Sequence, residues 1–212
     1  MAAGSKGLRP QPATPRHICG SPDPLALLEE DHAIQLELCD ILECIADRLP
    51  HVDRAIARPA AAILRRGIAS HLELEEAMLF PLLLRRASPA SPLNAIIKQL
   101  EAEHASDASF AAELADELQL MVDTGRVRNA EMLGYMLRGF FERQRRHIEW
   151  ERSVLLPLAR QTLTPSDLAE LQDWIMSSAR PACIKHSVVE LQSISSGTAA
   201  CRRCPSRAQS AH

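Results

Sequence analysis

Two short stretches carry residue types that bind metals, His71-Leu72-Glu73-Leu74-Glu75 and His147-Ile148-Glu149-Trp150-Glu151. Each begins ten residues ahead of a proline, Pro81 or Pro157, and runs into Leu-Phe-Pro-Leu or Leu-Leu-Pro-Leu. On a helix, residues i and i+4 share one face, about 6 Å apart at Cβ. A His and a Glu so placed can reach one cation together, or the Glu can bridge two. Any helix rich in Glu and His contains one such pair by chance. A second copy with the same downstream residues makes a pattern.

The elements that must position these residues are helical. Apolar residues make up 46% of the 212, while aromatics contribute 3%, so Ala and Leu dominate and helix is favoured over sheet. Asp23-Pro24 predicts a helix start, with Asp as cap and Pro at the first position. That helix carries Leu25, Leu28, His32, Leu36, Cys39 and Leu42 at steps of three and four, and ends near Leu49-Pro50. A second helix starts soon after Asp53, carries Ile63, Leu64, Ile68, His71, Leu72, Glu75, Met78 and Leu79, and continues to Arg86 with a kink at Pro81. A third opens at Ser91-Pro92, passes Leu100, His104, Ala108 and Ala111, and closes at Thr124-Gly125. The fourth follows Asn129, carries Met132, Met136, Phe140, His147, Glu151 and Leu155, and kinks at Pro157. A shorter fifth is announced by the capping box Thr164-Pro-Ser-Asp167 and reaches about residue 178. Short connections make consecutive helices antiparallel neighbours. The expected fold is therefore all-α, an up-down-up-down antiparallel four-helix bundle with a short fifth helix, over residues 22–179.

An internal repeat supports it. Leu28-Glu-Glu-Asp-His32 is echoed by Leu100-Glu-Ala-Glu-His104 at an offset of 72 residues, and the His71 stretch by the His147 stretch at 76. The four histidines lie about 17 to 19 residues from the turn between their helices, and at about 1.5 Å per residue they fall in one layer. The other four, His17, His51, His186 and His212, fall in expected loops or tails. Four core histidines satisfied by Glu75 and Glu151 would be the structural alternative, but burying two carboxylates without a counter-ion costs roughly several kcal/mol. The donors exceed the needs of one tetrahedral zinc and lack the all-carboxylate set of calcium. Mixed nitrogen and oxygen donors with room for two ions point to iron, with manganese and zinc as alternatives.

These residues resemble the hemerythrin-like, HHE cation-binding family over about residues 24–160, through Glu30-Asp31-His32, His71-x3-Glu75, Glu103-His104 and His147-x3-Glu151. The resemblance implies a four-helix bundle around a non-haem di-iron centre. It makes His32, His71, His104 and His147 terminal ligands, and Glu75 and Glu151 bridging carboxylates. It departs from the oxygen-carrying members, which have a second His where Ala108 stands and an Asp where Arg152 stands. The four-His, two-Glu set is more similar to iron-sulfur-cluster repair and NO-responsive proteins, or to iron- and oxygen-sensing domains, although the Cys-containing N-terminal domain of the repair proteins is missing. The expected function is a di-iron protein that binds or senses O2 or NO, or handles iron. A di-iron enzyme acting on O2, peroxide or clusters and an interaction module with a structural metal are the alternatives. A ferritin-like reading, from the Glu-x-x-His spacing of Glu29/His32 and Glu101/His104, would need a long central crossover that the short break at Ser88–Pro92 does not supply.

The net charge of −3 argues against sequence-independent nucleic-acid binding. No apolar run is long enough to span a bilayer and no signal-peptide core is visible, so a cytoplasmic setting is expected. The six cysteines form no framework and fit a reducing compartment. Residues 1–21 read as a disordered arm and 180–212 as a flexible tail. In that tail Cys183, His186, Cys201 and Cys204 have the types and spacing of a zinc site, although incidental cysteines suffice as an explanation. Cys39, Phe110, Phe140 and Trp150 read as core, and Arg143-Gln-Arg-Arg146 as a solvated face.

Overall fold

The local start and stop signals are the first thing the three-dimensional structure, a computed structural model, bears out. It describes residues 23–88 and 90–177, so the expected N-terminal arm and the tail with Cys183, His186, Cys201 and Cys204 lie outside the described residues. The Asp23 side chain accepts from the Leu25 N–H at 3.0 Å and opens α1, Pro24–Asp47. Asp53 does the same for Ala55 at 2.8 Å and opens α2, Arg54–Leu74. Helix α3 spans Phe80–Arg86. Helix α4, Leu93–Thr124, ends on Gly125, whose φ of 72° is the left-handed conformation that glycine adopts freely. Asn129 caps α5, Ala130–Trp150, through the Met132 N–H. Helix α6 is Leu156–Thr162 and α7 is Pro165–Ser177. Among the described residues there is no strand.

Pro81 and Pro157 do not end their helices, as expected, but the irregularity lies ahead of each ring. Residues Glu75–Leu79 and Glu151–Leu155 form π turns, closed by Phe80 N–H to the Glu75 carbonyl and Leu156 N–H to the Glu151 carbonyl. A proline lacks the N–H that an α-helix would use there, and its ring presses on the preceding turn. One wider turn absorbs an extra residue and relieves both problems. Each π turn begins at one of the two glutamates of the sequence pattern.

Helix α1 packs on α2 and α5, and α4 packs on the same two. Contacts run in opposite order along neighbours: His32 with Glu151 and Asp47 with Arg138 for α1 and α5. The same holds for Glu75 with His104 and Arg65 with Asp116 across α2 and α4, and for Glu103 with His147 and Phe110 with Phe140 across α4 and α5. The apolar interior falls into two large clusters. One gathers Leu38, Leu42, Leu64, Leu114, Leu137 and Phe140 toward the α1–α2 and α4–α5 connections. The other gathers Leu28, Leu74, Phe80, Leu100, Leu155 and Ile175 at the opposite end, where α7 covers it. Cys39 and Phe140 belong to the first cluster, while the half-buried Phe110 and Trp150 pack against the first and second, so all four side with the core as expected. The expectation of reduced cysteines holds for Cys39, a free buried thiol, and fails for Cys44, which is disulfide-bonded.

The Arg143–Arg146 stretch corrects the sequence reading. Gln144 is buried, Arg143 pairs with Asp107, and Arg145 bonds Asp40 and Glu43 at 2.7 Å each while lying over the Phe141 ring. A 3.6-residue turn places residue 144 on the same inward face as His147, and the flanking arginines reach across to carboxylates on α4 and α1.

Candidate metal centre

Between the two apolar clusters lies a layer of six polar side chains, His32 from α1, His71 and Glu75 from α2 and its π turn, His104 from α4, and His147 and Glu151 from α5 and its π turn. All six are buried. They form two overlapping groups. His32, His71, Glu75 and Glu151 present ligand atoms within 4.8 Å of one another, and so do Glu75, His104, His147 and Glu151. Both glutamates belong to both groups.

Glu151 is the hub. One of its carboxylate oxygens is 3.0 Å from His32 Nε2 and 3.9 Å from His71 Nε2; the other is 2.9 Å from His147 Nε2 and 3.8 Å from His104 Nε2. Glu75 Oε2 lies 3.5 Å from both His71 Nε2 and His104 Nε2. Every histidine therefore turns Nε2 inward. None of these four Nε2 atoms, and none of the four glutamate oxygens, has a hydrogen-bond partner, and all are sealed from solvent. Buried polar atoms of a folded chain are satisfied in the great majority of cases, so such a cluster calls for something that satisfies it. Divalent cations fit: imidazole nitrogens and carboxylate oxygens supply the donors, and two carboxylates offset the positive charge.

Three of the four outward nitrogens have carboxylates behind them, while His32 Nδ1 is buried without a hydrogen-bond partner. His104 Nδ1 donates to Glu76 Oε1 at 3.0 Å when Nε2 faces the centre, while Asp31 lies 3.6 Å from His71 Nδ1 and Glu103 lies 3.8 Å from His147 Nδ1. Partners of this kind fix the ring orientation and make the inward nitrogen a better donor. Phe80 stacks on His104, with ring centroids 5.6 Å apart.

The electrostatics show how unsuited the layer is to standing alone. Burial pushes the Glu75 carboxyl well above the ordinary carboxylate range, and the neighbouring Glu151 adds to this. Glu151 bears the same burial, but the four histidine rings turned toward its oxygens, His104, His147, His32 and His71, hold it well below. Burial lowers His32. At His71 burial is outweighed by Glu75 and Asp31, and its pKa rises to about 10.

All six residues expected from sequence meet. The ferritin-like pattern does not assemble, because Glu29 is exposed and pairs with Arg160 at 3.0 Å, and Glu101 is also exposed. Ala108 packs against the first apolar cluster and Arg152 is exposed, so neither position offers a donor to the layer. Sequence reasoning missed three buried polar residues next to it, Gln35, Gln144 and Asp107. Their signal was position: each lies three residues from a histidine of the layer, on the same helical face.

No curated protein and no solved structure matches the chain. The sequence model described as "Hemerythrin HHE cation binding domain" matches residues 23–159, from the cap of α1 into α6 and across all six residues of the layer. That span is more than half of the chain, and its buried His/Glu layer fits a cation site, so the protein belongs to the hemerythrin HHE cation-binding domain family.

Proposed function

We propose that the chain is a non-haem di-iron protein that binds or senses O2 or NO, or handles iron, within an up-down-up-down antiparallel four-helix bundle. In this reading His32 and His71 serve one iron, His104 and His147 the other, and Glu75 and Glu151 bridge them. The supporting observation is the pair of ligand groups sharing both glutamates, with every inward donor atom buried and unpartnered. Two irons bound there would supply a coordination position for a diatomic ligand and electrons to share with it. The protein's own part is to orient four imidazoles, to keep bulk water out with the Leu28, Phe80, Leu100 and Leu155 cluster, and to hold the outward protons on Nδ1. The test is anaerobic loading with Fe(II) followed by exposure to O2 and, separately, to NO. New absorption from bridged ferric iron or from an iron-nitrosyl adduct, at about two irons per chain, is expected. Loaded protein that shows neither signal would refute ligand binding.

A further inference from the structure

We propose that the buried carboxamides of Gln35 and Gln144 form a hydrogen-bonding subsite beside the centre, which donates an N–H to the acceptor end of a small ligand bound there. This rests on the di-iron reading above. Gln144 Nε2 donates to Gln35 Oε1 at 2.7 Å, and each residue is 2% exposed. Gln35 Nε2 is sealed from solvent and has no partner. A carboxamide pair joined by one N–H···O bond always leaves one NH2 group over, whichever way the two amides are turned. Here the spare group carries two donors in an apolar interior, where an unmet donor is costly.

Its place in the bundle gives it a use. Gln35 lies three residues beyond His32 on α1, and Gln144 three residues before His147 on α5. Residues at that spacing share a helix face. Since α1 and α5 run in opposite order, the pair sits about one helical turn, roughly 5 Å, along the axis from the two histidines. On the other side of the layer stand Leu28, Phe80, Leu100 and Leu155, which have no donor to give. Asp107, on the glutamine side, is an acceptor already matched by Arg143. The free amide thus makes one side of the centre able to recognise a ligand with a charged or lone-pair end, such as azide or bound dioxygen. In a site closed to water, one such donor shifts selectivity toward ligands that gather negative charge at their outer atom.

Azide is the probe, titrated into iron-loaded wild type and the Gln35→Leu/Gln144→Leu double variant, with iron per chain and Tm recorded for each. Removing both partners of a buried hydrogen bond leaves neither stranded, so the double variant should keep its iron and hold or raise its Tm. Its azide Kd should rise about tenfold, the scale of one hydrogen bond to a charged acceptor. Gln35→Met/Gln144→Met, which keeps the two volumes and also leaves neither partner stranded, should show the same weakening. An azide Kd within about twofold of wild type in either iron-retaining variant would overturn the subsite. Wild type that holds no iron would overturn the metal reading itself, and the subsite with it.

Discussion

Glu151 joins three roles that sequence distance keeps apart. Its side chain touches all four histidines, its backbone carbonyl closes a π turn, and it sits four residues from His147 on one face. The six residues of the layer were legible because each glutamate follows a histidine at a spacing that helix geometry gives meaning, and because the pattern occurs twice. Gln35, Gln144 and Asp107 were harder to read, since a lone polar residue on a helix usually faces water and their only mark is a place three residues from a histidine of the layer. Cys39 shows the opposite case, a reactive residue type made inert by place. It is fully buried in the first apolar cluster, and burial pushes its thiol up to about 12, against the pull of Arg145. The thiolate is the nucleophile, so native protein at pH 8 should leave Cys39 unmodified by iodoacetamide, with rapid alkylation once denaturant is added. Peptide mapping by mass spectrometry reads this directly, and alkylation of the native protein at the rate of a free thiol would contradict the packing.

At the scale of elements, caps were readable because they are local: Asp23, Asp53, Asn129 and the Thr164–Asp167 box all act within three residues of their position. The π turns were not. A proline inside an apolar pattern announces an irregularity but leaves open whether the helix bends, breaks or widens by a residue. The role of α7 also escaped the sequence. Asp167 caps its own helix through the Thr164 N–H at 2.8 Å and also receives Arg86 Nε at 2.8 Å and Arg85 at 2.8 Å, so α7 is clasped to α3 across the second apolar cluster. Arg86 and Thr164 hold the buried Asp167 carboxyl well below its ordinary range. Because the folded pKa is depressed, this stabilisation is present above the unfolded carboxyl pKa, about 3.9, and is lost as pH falls below it. Asp167→Asn should therefore destabilise the protein by about 1 kcal/mol between pH 5 and 8, the scale of a helix capping interaction. The gap should close below about pH 4. Urea unfolding of both proteins across that range checks it, and a gap that stays constant down to pH 3 would rule out the charged clasp.

Among the described residues, two large apolar clusters lie on either side of one polar layer. Helix identity and the layer followed from periodicity and from the repeat, since four histidines at matched distances from their turns have to fall together. What separates the cores could not be weighed from sequence, because it depends on which atoms find partners. Eight inward donor atoms find none, so the layer is the part of the fold that most needs an occupant, and anything bound there stabilises the folded state. The most direct test is iron per chain after anaerobic reconstitution, compared among wild type, His147→Ala and Glu151→Ala, with circular dichroism to verify helix content. The proposed dinuclear arrangement predicts about two irons in wild type, a clear fall in His147→Ala, and loss of both irons in folded Glu151→Ala, since Glu151 belongs to both groups of candidate ligands. Iron contents that are equal in all three proteins would contradict it.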